Sequence, residues 1–596
     1  MTYISDLLTE DFLSPYKTIK PKWGYNGLGE IVYKRTYSRL KDDGTNEEWW
    51  ETVARCINGA QHIGADYTKA EAQRLYDLVF NLKCNFAGRM LWQLGTSTID
   101  RFGGNSLLNC WGVCIRDIDD FCFVFENLML GGGVGFSIRK EDVHELPRIF
   151  EGVVVRSSGE SIKGFGGKAS GPGILLEGIE KISNVIRERE GKKLRSIDVL
   201  DICNIIGSVV VAGNVRRSAE IAVGDPDDYL YLRAKRWDLG NIPNWRAMSN
   251  NTIYADSYDH ISDTVWKGYD GSGEPYGFFN LPLAQKTGRL GEKSKDKCEI
   301  INPCAEILLE SHECCNLSEI YLNNVESKSE LKECAKLLYK TQKAICALPF
   351  IHEKTEQVVH RNMRIGVGVT GVCQSLDKIE WLDECYNYLR DFDIKWSEKK
   401  GYPPSVRLTT VKPSGTLSLL SGSTPGVHPA YSSHYIRRVR MSSDDQLVDV
   451  CKNAGYNVEY VKNFDGTEDR GTMVVEFPCH INGNTVLAKD MSAIKQLELV
   501  KEMQTKWSDN SVSVTVYYRL EELDEIKEWM KNNYEKSLKT VSFLLHNDHG
   551  FDQAPYEEIT PEQYEKMTSK LKQIKTIDGG EVLNELECEG GACPIR

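Results

Sequence analysis

No stretch of this 596-residue chain approaches the ~18–20 consecutive apolar residues that a membrane-spanning helix needs. The first residues, MTYISDLLTEDFLSPYK, lack the basic start and apolar run of a secretory signal. Basic residues are in deficit: 73 Lys and Arg stand against 86 Asp and Glu, a net charge of −13. No general field therefore draws the chain to a polyanion, and neither nucleic acid nor a membrane surface is an expected partner. No CxxC pair occurs among the 18 cysteines, which removes zinc ribbons and fingers and predicts no metal held directly by side chains. Solenoid-period repeats and low-complexity blocks are also missing. Together these absences predict a soluble, cytoplasmic protein. Its thiols stay reduced there, and serve catalysis or packing rather than structural disulfides.

What is present suits a globular α/β protein. Hydrophobic residues make up 41% and charged residues 27%, enough to bury a sizeable core at this length. Apolar residues recur at helical spacing over 69–83, 173–190, 196–212 and 329–347. A helix over 560–573 opens on Thr560 as cap, Pro561 in the first turn and Gln563 as reciprocal cap. Runs rich in β-branched and aromatic residues predict strands at 407–411, 472–477 and 511–518. Helices alternating with strands predict a mixed α/β core. The last residues, TIDGGEVLNELECEGGACPIR, are Gly-rich and acidic with little to bury, and predict a flexible tail. Cys588 and Cys593 lie in it; such a pair is either a redox shuttle, which needs reach, or two incidental exposed thiols.

Chemistry concentrates around Asn302-Pro303-Cys304-Ala305-Glu306, followed by His312, Cys314, Cys315 and Asn316. A carboxylate two residues from a thiol can act as a base and the amide can bind a hydroxyl, but a buried structural cysteine reads the same way. Two glycine-rich loops, 131–136 and 163–172, allow close backbone approach or simply turn. Neither is a dinucleotide or Walker fingerprint. Lys412-Pro413-Ser414-Gly415-Thr416 follows a strand-like run; its small hydroxyls and free N–H groups suit phosphate oxygens, or an ordinary turn.

Taken together and in order, several segments resemble one family. They are KPKWG and YKRTYSR near the start, then GRMLW, NSLLNCW, GGGVGFS, GFGGKASGP and AGNVRRSAE. NPCAE, CCNL, TTVKPSGT, WSDNSVSVT and the terminal CEGGACPI follow. The chain is similar, over nearly its whole length, to the monomeric adenosylcobalamin-dependent (class II) ribonucleoside-triphosphate reductases. The resemblance implies a ten-stranded α/β barrel with a catalytic finger loop through its centre. It also implies a helical N-terminal region over 1–85, the barrel over 86–540, a cobalamin-proximal region over 541–575 and a redox-active tail over 576–596.

By motif, Cys304 matches the thiyl-radical cysteine, and Asn302 and Glu306 its polar partners. Cys110 and Cys315 match the reducing pair, Cys315 being the cysteine directly before Asn-Leu. Cys588 and Cys593 match the pair that re-reduces the site, with thioredoxin as the external dithiol. Ser414, Gly415 and Thr416 match the substrate phosphate loop. Cobalamin is expected against 426–482 and 540–575, without individual ligands assigned; His428 and His434 lie there, and a histidine is more often a plain polar residue than a cobalt ligand. A monomer is implied.

Two departures stand out. Ala305 replaces the family's glycine, which adds a methyl beside the radical cysteine. Between GGGVGFS and GFGGKASGP only 138–163 intervene, where the family carries a long segment that binds the dNTP effector. Specificity regulation is therefore expected to be altered or missing. The rival reading is the large subunit of a class I reductase. Tyr517-Tyr518 favours it as a radical relay, against which stand two strand residues pointing to opposite faces.

Overall fold

The structure, a computed structural model, describes residues 3–144, 146, 172–211, 219–240, 242–286, 288–290, 296–443, 445–462, 467–481, 485–546, 553–572 and 574. The loop 163–171, most of 138–163, most of AGNVRRSAE and the tail with Cys588 and Cys593 lie outside them.

Helices form where the local code is complete. Thr68 caps Lys69–Phe80 by accepting from the Glu71 N–H, and the Glu71 side chain returns to the Thr68 N–H. The helix stops short of the expected residue 83 because Leu82 takes a left-handed backbone, φ +54°, and Cys84 enters a strand. Thr560 and Gln563 make the same reciprocal cap on Pro561–Thr568, a shorter helix than the predicted 560–573. Pro172–Arg187, Ser196–Val211 and Lys328–Cys346 fall where their periodicity predicts. The N-terminal part is helical, with Leu28–Thr36, Trp49–His62 and Lys69–Phe80.

The strands form a mixed α/β architecture. Five consecutive parallel strands, Cys110–Cys114, Gly133–Ser137, Glu220–Gly224, Ser249–Tyr254 and Gly277–Phe279, make the centre of an eight-stranded sheet. At one edge Cys110-Trp111 pairs antiparallel with Cys315-Cys314. At the other, Phe278-Phe279 pairs antiparallel with Thr540–Leu545, which runs parallel to Thr515–Tyr518. A four-stranded sheet orders Cys84–Phe86, Leu317–Tyr321, Gly366–Thr370 and Thr409–Thr410. Among the described residues the ladders do not close into one ring. The two sheets meet through Asn316, the one residue between Cys315 and Leu317, and through a single parallel bridge from Val411 to Val512. Of the predicted strand 407–411, only Thr409–Thr410 joins a ladder, and of 511–518 only Thr515–Tyr518. The run 472–477 belongs to a longer strand, Glu468–His480, in a separate antiparallel sheet with Asn457–Lys462, His434–Ser442 and Tyr556–Glu558.

A short hairpin, Ile300-Ile301 against Leu308-Leu309, sits inside this framework. Its side chains form a second, smaller core with Cys114, Ile221, Val223, Tyr254 and Phe279, one or two residues from each of four parallel strands. Alternation along those strands sends one set of side chains to the hairpin and the other to the helices outside. Gly135 makes the approach possible: a Cβ there would lie 1.8 Å from the Ile301 carbonyl oxygen. No helix among the described residues is long and apolar enough to cross a membrane.

Candidate functional site

The hairpin turns through residues 302–307 at its tip, and this loop is tied down by its backbone. Asn302 Oδ1 accepts from the Ile307 N–H at 2.9 Å, and the Ala305 N–H donates to the Asn302 carbonyl at 2.8 Å. From outside, Thr410 Oγ1 donates to the Glu306 carbonyl at 2.9 Å and Thr540 Oγ1 to the Ala305 carbonyl at 3.0 Å. Ser513 Oγ donates to the Cys304 carbonyl. These hydroxyls come from the loops and strands that join the two sheets. They account for the runs TTV and SVSVT being only partly strand: their polar groups hold the loop. Ala305 adopts φ +59°, the region that glycine enters freely and an L-side chain enters at a cost. The departure from the family's glycine is therefore strained.

The loop faces a cavity of about 310 Å³. Cys304, Glu306, Cys110, Cys315, Ser414, Gly415 and Thr416 all line it. Asn302 lies just behind, fully buried, its Nδ2 donating to Cys315 Sγ at 3.9 Å. Cys110 and Cys315 are directly opposite in the antiparallel ladder, and their thiols are hydrogen-bond neighbours. Gly133, beside Cys110, gives the tip room: a Cβ there would lie 2.9 Å from Pro303 Cγ and 3.4 Å from Cys110 Sγ.

Burial governs the electrostatics. It pushes the Cys315 thiol well above its ordinary range, with Cys110 and the Glu306 charge adding to it. The same cause raises the Glu306 carboxyl, opposed by its hydrogen bond to Asn302 and by the Lys412 charge. Glu306 Oε2 is buried and has no hydrogen-bond partner among the described residues, and the same holds for Ser414 Oγ and Thr416 Oγ1. Unmet buried polar atoms are costly in a closed core. Here they line one cavity, where a polyhydroxylated anionic ligand would satisfy them.

Several residues that the sequence reading left without a role reach this cavity, among them Arg89, Asn109, Asn250, Lys412 and Ser513. Arg89 stands in GRMLW and donates from Nη2 to the Gly131 carbonyl at 2.7 Å. Lys412 stands beside the Ser-Gly-Thr triplet, the one signal that pointed to it. His428 is in the wall, with Nδ1 donating to the Pro425 carbonyl at 3.0 Å and Nε2 accepting from the Thr515 N–H at 3.2 Å. Burial pulls its pKa down to about 4, so it is a neutral structural imidazole. His434 is elsewhere, stacked on His480 with ring centroids 4.2 Å apart.

His312 pairs with Asp120 at 3.1 Å, away from the cavity. Cys314 is buried beside Cys346 and has no part in the lining. Neither Tyr517 nor Tyr518 lines the cavity. Tyr518 is a core residue, donating to the Tyr269 carbonyl at 2.7 Å and packed on Tyr269 and Phe543.

Comparison with known proteins gives consistent matches. The ribonucleotide reductase alpha domain matches residues 8–96, and the ribonucleotide reductase barrel domain matches 247–382 and 396–544. The adenosylcobalamin-dependent ribonucleoside-triphosphate reductase of Lactobacillus acidophilus is 31% identical over 99% of this chain and 99% of its own. The enzyme of that name from Euglena gracilis is 32% identical over 97% of this chain and 88% of its own. A crystal structure of a B12-dependent (class II) ribonucleotide reductase superposes with a TM-score of 0.84 at 26% identity, covering 99% of this chain and 100% of that one. The Lactobacillus alignment runs over 752 positions, so that relative carries residues within its span that this 596-residue chain lacks.

Proposed function

The chain belongs to the adenosylcobalamin-dependent ribonucleoside-triphosphate reductases, and from that premise we propose how its own residues carry out the reaction. It reduces ribonucleoside triphosphates to 2′-deoxyribonucleoside triphosphates. One observation carries the assignment of roles: Cys110, Cys304, Glu306, Cys315 and Ser414–Thr416, dispersed along the chain, line one cavity.

The chemistry that adenosylcobalamin supplies when bound is one-electron oxidation of a thiol. The donor set fits a cofactor that brings its own metal ligands. Among the described residues no three His, Cys, Asp or Glu are grouped to hold a metal, and both nitrogens of His428 are engaged. The segments expected to hold it, 426–482 and 540–575, are joined by the pairing of His434–Ser442 with Tyr556–Glu558. Of those segments, His428 and Ser542 reach the cavity wall.

Cys304, as a thiyl, takes the 3′ hydrogen of the ribose. Glu306 takes the proton of the 3′-hydroxyl, and Asn302 orients the sugar. Cys110 protonates the departing 2′-hydroxyl, which leaves as water. Cys110 and Cys315 supply two electrons and end as a disulfide, and Cys304 returns the 3′ hydrogen. Asn302, Glu306 and Cys315 are buried, and Cys110 and Cys304 are half-buried at the cavity face. Substrate that fills the cavity would complete a dry site, which strengthens hydrogen bonds and keeps stray reductants out. Ser414, Gly415 and Thr416 hold the phosphates. Cys588 and Cys593 then exchange with the new disulfide and are reduced in turn by thioredoxin or a similar dithiol.

At the level of architecture, the two sheets act as one ten-stranded barrel with the 300–309 hairpin as its finger. Cys314–Tyr321 counts as one strand through Asn316, and the antiparallel edge strand Cys84–Phe86 stands outside the barrel; the Asn316 continuity and the Val411–Val512 bridge support this. The N-terminal region is 1–85, the barrel 86–540, the cobalamin-proximal region 541–575 and the redox tail 576–596. The chain acts as a cytoplasmic monomer. Its dNTP specificity regulation is altered or missing, because 138–163 is short and the longer relatives carry residues it lacks.

The test is Cys304→Ser, assayed with adenosine or cytidine triphosphate, adenosylcobalamin and dithiothreitol. Turnover should disappear while nucleotide binding persists. Surviving turnover would overturn the assignment of Cys304.

A further inference from the structure

Two charged groups beside Glu306 have no role in the reaction as described. Glu319, on the strand Leu317–Tyr321, is 0% exposed, a place where a carboxylate is costly unless paired. It faces Lys412, with Nζ 3.5 Å from Oε2. Lys412 follows Thr409–Thr410, and its place on the inner face is set by the pleat. Thr410 points inward to bond the Glu306 carbonyl, and residues two apart share a face. Gly368 on the neighbouring strand marks the same face: a Cβ there would be in ordinary contact with Lys412 Cγ at 3.8 Å and Thr410 Cγ2 at 3.9 Å, and crowded only by the Ser318 carbonyl oxygen at 2.9 Å. Lys412 thus lines the cavity together with Glu306 and the Ser414–Thr416 loop.

We propose that Lys412, anchored by Glu319, is a positioning residue that presents a fixed positive charge to Glu306, so that Glu306 meets the substrate as a carboxylate and can accept the 3′-hydroxyl proton. This rests on the reading of Glu306 as the base. The charged groups acting on Glu306 are Lys412 and Glu319, the Cys315 thiol interacts with it, and the thiols of Cys304 and Cys110 line the same cavity. Lys412 is the cation among them. Without it, two buried carboxylates would share a dry site, and such a pair retains a proton. Burial already raises the Glu306 carboxyl, Lys412 lowers it and Glu319 raises it again.

The sign of each perturbation follows. Removing the Lys412 charge makes Glu306 hold its proton to higher pH, so the acid limb of kcat/KM moves up. Removing the Glu319 charge moves it down. The experiment measures kcat and KM for nucleotide reduction against pH in wild type, K412M, K412R, E319Q and E306Q. Adenosylcobalamin and dithiothreitol are present throughout, and each variant is checked for folding by its thermal transition. K412M should shift the acid limb up by roughly one pH unit, K412R should restore it, and E319Q should shift it down. An unmoved limb in K412M and E319Q overturns the proposal. So does a K412M that raises KM alone, which would make Lys412 a phosphate anchor. If K412M does not fold, K412Q, which removes the charge and keeps a polar group beside Glu319, is measured in its place and must show the same upward shift. An active E306Q would show instead that the base is misassigned, a different failure from that of Lys412.

Discussion

Gly135→Ala is the sharpest test of how the hairpin is placed. The added Cβ would lie 1.8 Å from the Ile301 carbonyl oxygen and 3.2 Å from Ile221 Cγ2, against a floor of 3.0 Å that real Cβ contacts respect. The Ile301 oxygen is backbone, so no rotamer change relieves the clash, and the hairpin leg must move by about 1 Å or more in a close-packed interior. Overpacking of this kind costs about 1–3 kcal/mol. Ile301 leads directly into Asn302, and Cys304 is two residues further on, so the displacement reaches the reacting sulfur. A misplacement of ~1 Å at reacting atoms costs ~100-fold in rate. G135A should therefore fold with a lowered unfolding midpoint and lose about two orders of magnitude in kcat.

The assay pairs steady-state nucleotide reduction with urea unfolding. Gly173→Ala serves as the control: a Cβ there meets nothing within 4 Å and sits in the helix Pro172–Arg187. It should leave both readouts unchanged or raise stability slightly. Wild-type turnover in a folded G135A would refute the claim that Gly135 is what admits the hairpin.

Two further outcomes are expected. Ala305→Gly removes a left-handed alanine, worth ~1–2 kcal/mol, and is offset by ~0.5–1 kcal/mol of glycine entropy. The urea midpoint should therefore rise slightly, and a fall would contradict the strain. Removing residues 587–596 takes away Cys588 and Cys593. One turnover from Cys110 and Cys315 should survive and multiple turnovers with thioredoxin should stop, whereas equal multiple-turnover rates would refute the shuttle.

Legibility in the sequence followed the range of the interaction. The helix at Thr560 was readable from its cap, which is decided within four residues, and Lys69–Phe80 from its apolar spacing. Cys304 and its neighbours were readable because a contiguous motif carries them. Leu82 was not: nothing local says that a leucine will turn left-handed, and the demand comes from the strand Cys84–Phe86 joining Leu317–Tyr321. Glu319 and Lys412 were missed as a pair because a lone charge in a strand-like run looks like a solvated one. Their meeting across 93 residues is a product of sheet order. Glycine at 135 signalled a close approach, but not that the visitor is the Ile301 carbonyl.

By itself, then, the sequence determined the chemical inventory: thiols without zinc spacing, a carboxylate and an amide flanking one cysteine, a hydroxyl-rich loop, and alternating helices and strands. These are properties of short segments, set by side-chain type and by the periods of helix and strand. Tertiary structure alone decided that Cys110 stands opposite Cys315, that the 302–307 loop enters the framework between two sheets, and that Lys412, paired with Glu319, shares a cavity with Glu306. Those facts depend on strand order and register, which packing across the whole molecule selects and no short segment encodes.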